Sequence, residues 1–152
     1  MLKRIALMVL VALLPVAAHA AETAGKMSSH KIVFQVDQND PATMNLVMNN
    51  IANVVKYYDG KGEDVQVEVV AYGPGLAMFL ADAKKNPVFK RANSFTTNFP
   101  NVSFSACGNT LAAMTKKAGG KQPALLTSAK VVPAGVVELT MRQEEGWTYI
   151  RP

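Results

Sequence analysis

Residues 65–72 read VQVEVVAY, a β-branched and apolar run that ends abruptly at Gly73-Pro74-Gly75. Such a run, bounded by glycine and proline, is typical of a buried strand. The turn then predicts a short helix over Leu76–Ala83. A strand that passes through a sharp turn into a helix is the repeating unit of parallel α/β folds. This stretch therefore decides the fold class.

The segment before this strand has the same order of elements. Lys31–Asp37 (KIVFQVD) predicts a strand, and Asp40-Pro41 predicts a helix start. Aspartate accepts hydrogen bonds from the first free N–H groups of a helix, and proline suits the first helical position. Apolar residues then recur at spacings of three and four as far as Tyr58, which is typical of an amphipathic helix lying on a sheet.

The carboxyl-terminal half continues the alternation. Helices are predicted over Leu111–Ala118 and Val136–Glu145, and strands over Asn101–Ala106, Lys130–Val132 and Trp147–Ile150. This order predicts an α/β protein of three layers, α/β/α, with a doubly wound, mainly parallel five-stranded sheet and right-handed crossovers.

Residues 84–100 are basic and irregular. They carry four cations and three aromatic rings, which are Lys84, Lys85, Lys90, Arg91, Phe89, Phe95 and Phe99. We expect a solvated loop with one helical turn, its rings reaching into the core, because runs of charge usually lie at the surface. The alternative is a rim that binds a partner or an anion.

The first twenty residues differ from the rest of the chain. Lys3 and Arg4 precede an apolar run over Ile5–Val16, and Ala18-His19-Ala20 has small residues where a signal peptidase cleaves. We expect residues 1–20 to be a signal peptide for the general secretory route to the periplasm. Residues 21–30 are then a flexible leader, and 31–152 form one domain. An uncleaved anchor is the alternative, but this run is shorter than a membrane span and contains a proline.

Composition excludes several classes of function. Loss of Lys3 and Arg4 lowers the net charge from +5 to +3, too small an excess for a nucleic-acid-binding surface, although it modestly favours a small anionic ligand. The exported chain would keep one cysteine, Cys107, and one histidine, His30. These are too few for a usual zinc or copper site, and a Ser-His-Asp triad would have to recruit His30 from the leader. We expect no metal, no cofactor and no internal disulfide.

The candidate site lies where the strands end, because ligands of open parallel sheets bind beyond the carboxyl ends of the strands. The residues expected there are Asn39, Gly73, Gly75, Cys107, Gly108, Asn109, Thr110 and Gly135. Cys107 lies between a strand and a helix, whose N-terminus stabilises a thiolate. Gly108 permits close approach, and Asn109 or Thr110 is able to cap the helix or to donate to the sulfur. The alternative is that Cys107 merely fills a small apolar space.

Three segments in order resemble the DsrE/DsrF-like family. They are Phe104–Leu111 (FSACGNTL), where a strand ends in cysteine before Asn-Thr and a helix; Val131–Leu139 with Gln143–Ile150, which resembles the end of the family's chain; and Val69–Leu76, which resembles its second strand and glycine turn. The resemblance covers most of residues 31–152. It implies a doubly wound α/β fold, homo-oligomers that are often trimers or hexamers, and transfer of a persulfide from the cysteine that matches Cys107.

The predicted export departs from this family, whose best-understood members are cytoplasmic and work with cytoplasmic sulfurtransferases and tRNA-thiolation proteins. We therefore expect a periplasmic protein in which Cys107 accepts and passes on sulfane sulfur, with a donor or acceptor protein as partner and no membrane contact after cleavage. The alternative is a non-catalytic oligomeric binding module for a small ligand or partner protein. An oligomer is also suggested by aromatic residues that one small core has difficulty hiding, namely Phe89, Phe95, Phe99 and Trp147.

Overall fold

The computed structural model describes residues 29–81 and 88–152, and within them five parallel strands form one sheet in the order β4-β3-β2-β1-β5. The strands are β1 (Ser29–Val36), β2 (Asp64–Ala71), β3 (Val102–Cys107), β4 (Ala129–Val132) and β5 (Thr148–Ile150). The helices are α1 (Pro41–Asp59), α2 (Phe89–Asn98), α3 (Gly108–Lys117) and α4 (Gly135–Glu144), with a 3₁₀ helix over Gly73–Phe79. The predicted signal peptide, most of the leader, Lys84 and Lys85 lie outside the described residues.

Helices cover both faces of the sheet, which confirms the predicted three-layer fold. From β1 to β4 each strand is added on the same side of the one before it, so right-handed crossovers bring α1, the 3₁₀ helix, α2 and α3 onto one face. The main core lies between these elements and the sheet. The chain then returns across the sheet from β4 to β5, which brings α4 onto the other face, where Leu139 packs against Val33 and Val70.

The start of α1 follows the prediction. The carboxylate of Asp40 accepts hydrogen bonds from the N–H of Ala42 at 3.2 Å and of Thr43 at 2.9 Å, and Pro41 is the first helical residue. Hydrogen bonds from the hydroxyl and the backbone of Thr43 lower the pKa of Asp40. Met44, which follows one turn later, is buried against the sheet with the other apolar residues of the predicted stripe.

Residues 89–98 form a ten-residue helix where a loop with one helical turn was expected, so this prediction was wrong in extent. The expectation for the rings is confirmed, because Phe95 is buried and Phe89 and Phe99 pack against the core. Arg91 donates to Asn45 and Asn49 of α1, so its guanidinium ties two helices together. Basic residues lie between the rings in the sequence, so the apolar spacing that is typical of a helix was not recognised.

Two other boundaries differ from the prediction. β1 includes Ser29 and His30, so His30 belongs to the sheet, where its ring stacks on Tyr58 at 3.8 Å and bonds to Glu63 at 2.9 Å. The helix predicted over Leu76–Ala83 is a 3₁₀ helix that begins at Gly73. Within it Gly75 lies so close to the end of β1 that a Cβ would overlap the carbonyl group of Val36, so this position requires glycine.

Candidate functional site

Two helix N-termini meet at Cys107. This residue ends β3 and is the N-cap of α3, with extended backbone angles of φ −66° and ψ 116°. It lies opposite Val132, the last residue of the neighbouring strand β4, and α4 begins at Gly135 directly beyond that strand. The parallel sheet thus brings the starts of α3 and α4 to one point on its carboxyl edge, as the sequence predicted.

The sulfur of Cys107 lies among hydrogen-bond donors from both helices. Burial raises the pKa of this thiol, but hydrogen bonds from the Thr110 hydroxyl and from the N–H groups of Gly135, Thr110 and Asn109 outweigh it, so the pKa is lowered. No side chain caps α3, so the first N–H groups of the helix are left facing the end of β3, where the sulfur lies. The arrangement favours a thiolate.

The Thr110 hydroxyl is oriented by a second hydrogen bond. The N–H of Gly73 donates to Thr110 Oγ1 at 2.9 Å, so the proton of the hydroxyl is left to point at the sulfur of Cys107. Gly73 has a φ of 52°, in the region that favours glycine. A donor that itself accepts a hydrogen bond is the stronger donor. The glycine turn after β2 therefore supports the thiolate through Thr110.

Two further glycines allow the turns around Cys107 to close. A Cβ on Gly108 would lie 2.9 Å from the carbonyl oxygen of Val132, and the next residue, Asn109, donates its N–H to the carbonyl of Pro133 at 3.3 Å. A Cβ on Gly135 would lie 2.8 Å from Cβ of Tyr72. Both positions therefore require glycine for close approach, which is the role that the sequence indicated for Gly108.

The remaining predicted lining residues lie further from the sulfur. Gly75 packs against the end of β1 and supports the 3₁₀ helix, and Asn39 is exposed with no described contact to Cys107. Arg91 faces α1, so it does not bring positive charge to the site. His30 is the second residue of β1 and so lies at the opposite, amino-terminal edge of the sheet.

Tyr72 was not predicted as a site residue, although it follows the last residue of β2 and is aligned with Cys107 by the strand register. Burial raises the pKa of Tyr72, and the charge of Asp37 adds to the effect. A hydrogen bond with Gln35 joins it to a polar group in which Tyr149 donates to Gln35 at 2.6 Å. The signal in the sequence that could have identified it is a ring with a polar hydroxyl at the end of an otherwise apolar strand.

Access to the sulfur is narrow, since Cys107 is only 5% exposed. A groove of about 450 Å³ lies between the 3₁₀ helix and α3, next to two of the residues that contribute to the thiol pKa, and is lined by Gly73, Pro74, Asn109, Thr110, Ala113, Met114 and Lys117. Two grooves of similar volume open near residues 64 and 101, where β2 and β3 begin, and are remote from the thiol. The groove beside Thr110 is therefore the one that adjoins the chemistry.

Within residues 29–81 and 88–152, no helix combines the length and apolar character that a membrane crossing needs. The same part of the chain holds no cluster of three His, Cys, Asp or Glu side chains that could bind a metal ion.

No family model matches the chain, and a search of curated proteins finds no similar sequence. The search of solved structures finds the protein of unknown function MTH1491 from Methanobacterium thermoautotrophicum. The two are 32% identical, with a TM-score of 0.64 over 81% of this chain and 99% of that one. At this identity over nearly its whole length, the chain belongs to the same family as MTH1491.

Proposed function

We propose that this protein is a sulfur carrier, exported to the periplasm, in which Cys107 accepts sulfane sulfur and passes it on as a persulfide. The resemblance to DsrE/DsrF-like proteins suggests the cargo. The observation that carries the proposal is the placing of Cys107 between the starts of α3 and α4, where hydrogen bonds lower the pKa of its thiol. A thiolate is the nucleophile in reactions of this class.

The transfer needs no oxidant. The Cys107 thiolate attacks the outer sulfur of a persulfide R–S–SH, the S–S bond breaks, and the pair of electrons leaves on R–S⁻. The product is Cys107–S–SH. An acceptor thiolate then attacks the outer sulfur of that persulfide, and Cys107 leaves as a thiolate stabilised by the same N–H groups and the same hydroxyl. In each step one S–S bond breaks and one S–S bond forms, so there is no net oxidation or reduction of sulfur.

The narrow opening suits this cargo. Cys107 is 5% exposed, which admits a single sulfur atom at the end of a chain more readily than a bulky electrophile. The groove lined by Gly73, Pro74 and Thr110 would hold the body of a donor, and Lys117 at its other end would favour an anionic one.

Loading with polysulfide tests the proposal. Intact-mass measurement should show a gain of about 32 Da, one sulfur atom, that dithiothreitol removes. Cys107→Ser is the matched control and should gain nothing, because it replaces the only thiol in the chain. A wild-type protein that gains no mass under conditions that load a small-molecule thiol would contradict the proposal.

The burial of Cys107 favours one second candidate, a non-catalytic binding module in which the cysteine is structural. The rate of alkylation against pH separates the two. A carrier should show a midpoint below the ordinary thiol value of about 8.5, whereas a structural cysteine should react slowly, with an ordinary or raised midpoint.

A further inference from the structure

The helix α4 supplies one of the donors to the Cys107 sulfur, yet few of its side chains are buried against the sheet. The turn that leads into it lies against the site, since Val132 is opposite Cys107 and the N–H of Asn109 donates to the carbonyl of Pro133 at 3.3 Å. The N–H of its first residue, Gly135, helps to lower the pKa of the thiol. Beyond Gly135, its buried residues are Glu138 and Leu139. A ten-residue helix has little stability of its own. Its position must therefore depend on what holds its second half.

Arg142 holds that second half to the sheet. Its Nε donates to the carboxylate of Glu68 on β2, which is 2% exposed and also accepts from the hydroxyl of Ser105 on β3. The other guanidinium nitrogens bond to Glu138 at 2.8 Å and Glu145 at 2.9 Å within the same segment. One side chain thus joins the buried Glu68 of the sheet to Glu138 within α4 and to Glu145, the residue that caps this helix.

The ring of Trp147 fixes the guanidinium from its flat side, 5.1 Å from the ring centroid. A planar guanidinium that donates to several carboxylates and is stacked on a ring has few alternative orientations. Seven residues along α4 separate Arg142 from Gly135, about 10 Å of helix rise. The bond to Glu68 therefore restrains tilting and sliding of α4, and with them the position of Gly135.

We propose that Arg142 is the positioning residue of the Cys107 site: by binding Glu68 it holds the first N–H of α4 against the sulfur. This inference rests on the proposed role of Cys107 as a thiolate. It assigns the buried Glu68–Arg142 pair, with its supporting Ser105 hydroxyl, a role in the reactivity of a cysteine that it does not touch.

Other ionisable groups lie on the same face or at its edge and enter the interpretation of a pH profile. Among the described residues they are Tyr72 beside Cys107, Lys31 on β1, Lys130 on β4, Glu68 on β2, Tyr149 on β5, Glu138 and Arg142 on α4, Glu145 that caps α4, and Asp37 with Arg151 near Tyr72. Removal of the Arg142 charge would itself raise the pKa of Cys107, because a cation favours a thiolate. A test must therefore separate position from charge.

Arg142→Lys and Arg142→Met make that separation. Lysine keeps the charge but cannot form a planar fork to three carboxylates, so the midpoint of Cys107 alkylation should rise in Arg142→Lys. It should rise further, by about one pH unit in all, in Arg142→Met. Arg142→Lys leaves Glu68 a cationic partner, so it keeps the test decisive if the methionine variant does not fold. A wild-type midpoint in Arg142→Lys would overturn the proposal.

Arg91→Met is the matched control for a purely structural loss. Arg91 also ties a helix down, through Asn45 at 2.9 Å and Asn49 at 2.7 Å, and lies 5.7 Å over the ring of Phe95. We expect Arg91→Met to lower the melting temperature while the alkylation midpoint stays at the wild-type value. An equal rise of the midpoint in Arg91→Met would attribute the effect to general loosening and contradict the positioning role.

Failure of this inference differs from failure of the proposed function. Alkylation measures the thiolate and requires no sulfur donor, whereas the mass gain measures the cargo. If the midpoints move as expected and the wild type loads no sulfur, Arg142 still positions the thiolate and the carrier function is wrong. If the wild type loads sulfur and the midpoints do not move, the carrier function stands and the positioning role falls.

Discussion

Thr110 is the side chain that most lowers the pKa of Cys107. Its hydroxyl is the foremost of the donors that oppose the effect of burial on the sulfur. The N–H of Gly73 bonds to the same oxygen at 2.9 Å and so orients the hydroxyl. The reactivity of the cysteine therefore depends on a residue one helical turn further along the chain and on a glycine from a different strand end.

Thr110→Val removes this hydroxyl and keeps the shape of the side chain. Hydrogen bonds to charged groups contribute about 1.5–3 kcal/mol, so the pKa of Cys107 should rise by about one to two units. The fraction of thiolate at neutral pH should fall, and the alkylation rate at pH 7 should fall with it, by at most about tenfold for each unit of the rise.

Thr115→Val on the same helix is the control, because the Thr115 hydroxyl donates only to the carbonyl of Leu111, at 2.8 Å. Its alkylation profile should match that of the wild type. An unchanged midpoint in Thr110→Val would show that the backbone N–H groups alone set the thiol pKa.

The sequence located the part of the site that is contiguous. Cys107, Gly108, Asn109 and Thr110 follow one another at the end of a recognisable strand, so local rules were enough to bring them together. Arg142 and Glu68 are 74 residues apart and meet only through the packing of α4 on the sheet. Strand alternation fixes which face a residue takes, but no local pattern pairs a glutamate in one strand with an arginine in a distant helix.

The helix α4 carries a carboxylate, that of Glu138, whose ionised form is disfavoured by its surroundings. Burial raises the pKa of Glu138, and the nearby charge of Glu68 raises it further, while Arg142 opposes both. The folded-state pKa is thus above the unfolded value of about 4.3. The ionised form of Glu138 therefore lowers the free energy of unfolding. This cost is absent below the unfolded pKa, grows as the pH rises from the unfolded pKa to the folded pKa, and is complete above the folded pKa.

Glu138→Gln should remove this cost. Relative to the wild type, the variant should gain stability between pH 4 and pH 7, by an amount on the order of 0.5 kcal/mol, since the lost pair with Arg142 offsets part of the gain. Glu145→Gln is the control, because hydrogen bonding from Arg142 lowers the pKa of exposed Glu145, so its effect on stability changes mainly below about pH 4.3 and should stay nearly constant between pH 4 and pH 7. Denaturant unfolding at both pH values measures each change, and a relative loss in Glu138→Gln on going to pH 7 would contradict the assignment.

Elements with one dominant signal were predicted well, and elements with conflicting signals were not. α1 has a capping aspartate, a proline and a clear stripe, so its start was predicted to the residue. α2 was hidden by cations that lie between its rings, and only its packing against α1 and the core accounts for its length. The 3₁₀ helix approaches β1 closely at Gly75, and this contact with Val36 is not local in the sequence.

Across the molecule, the two faces of the sheet are covered by different numbers of helices. In the described part of the chain, three α-helices and the 3₁₀ helix pack on one face and α4 alone on the other. The rings that suggested an oligomer are covered within the one chain, since Phe95 is buried and Phe89, Phe99 and Trp147 pack against the two cores. The large apolar side chains that α4 exposes are Val136, Val137 and Met141, at 55%, 51% and 47%.

These three residues are therefore the place where we expect a homo-oligomer to form, with the trimer that the resemblance implies. A charge in the middle of an apolar interface is costly to bury, so Val137→Glu should convert the oligomer to a monomer in light scattering after size exclusion. Leu46→Glu is the control, since Leu46 is 47% exposed on α1, on the other face of the sheet; it should leave the oligomer intact. A monomeric wild type at micromolar concentration would remove the interface altogether, and dissociation by Leu46→Glu alone would place it on α1.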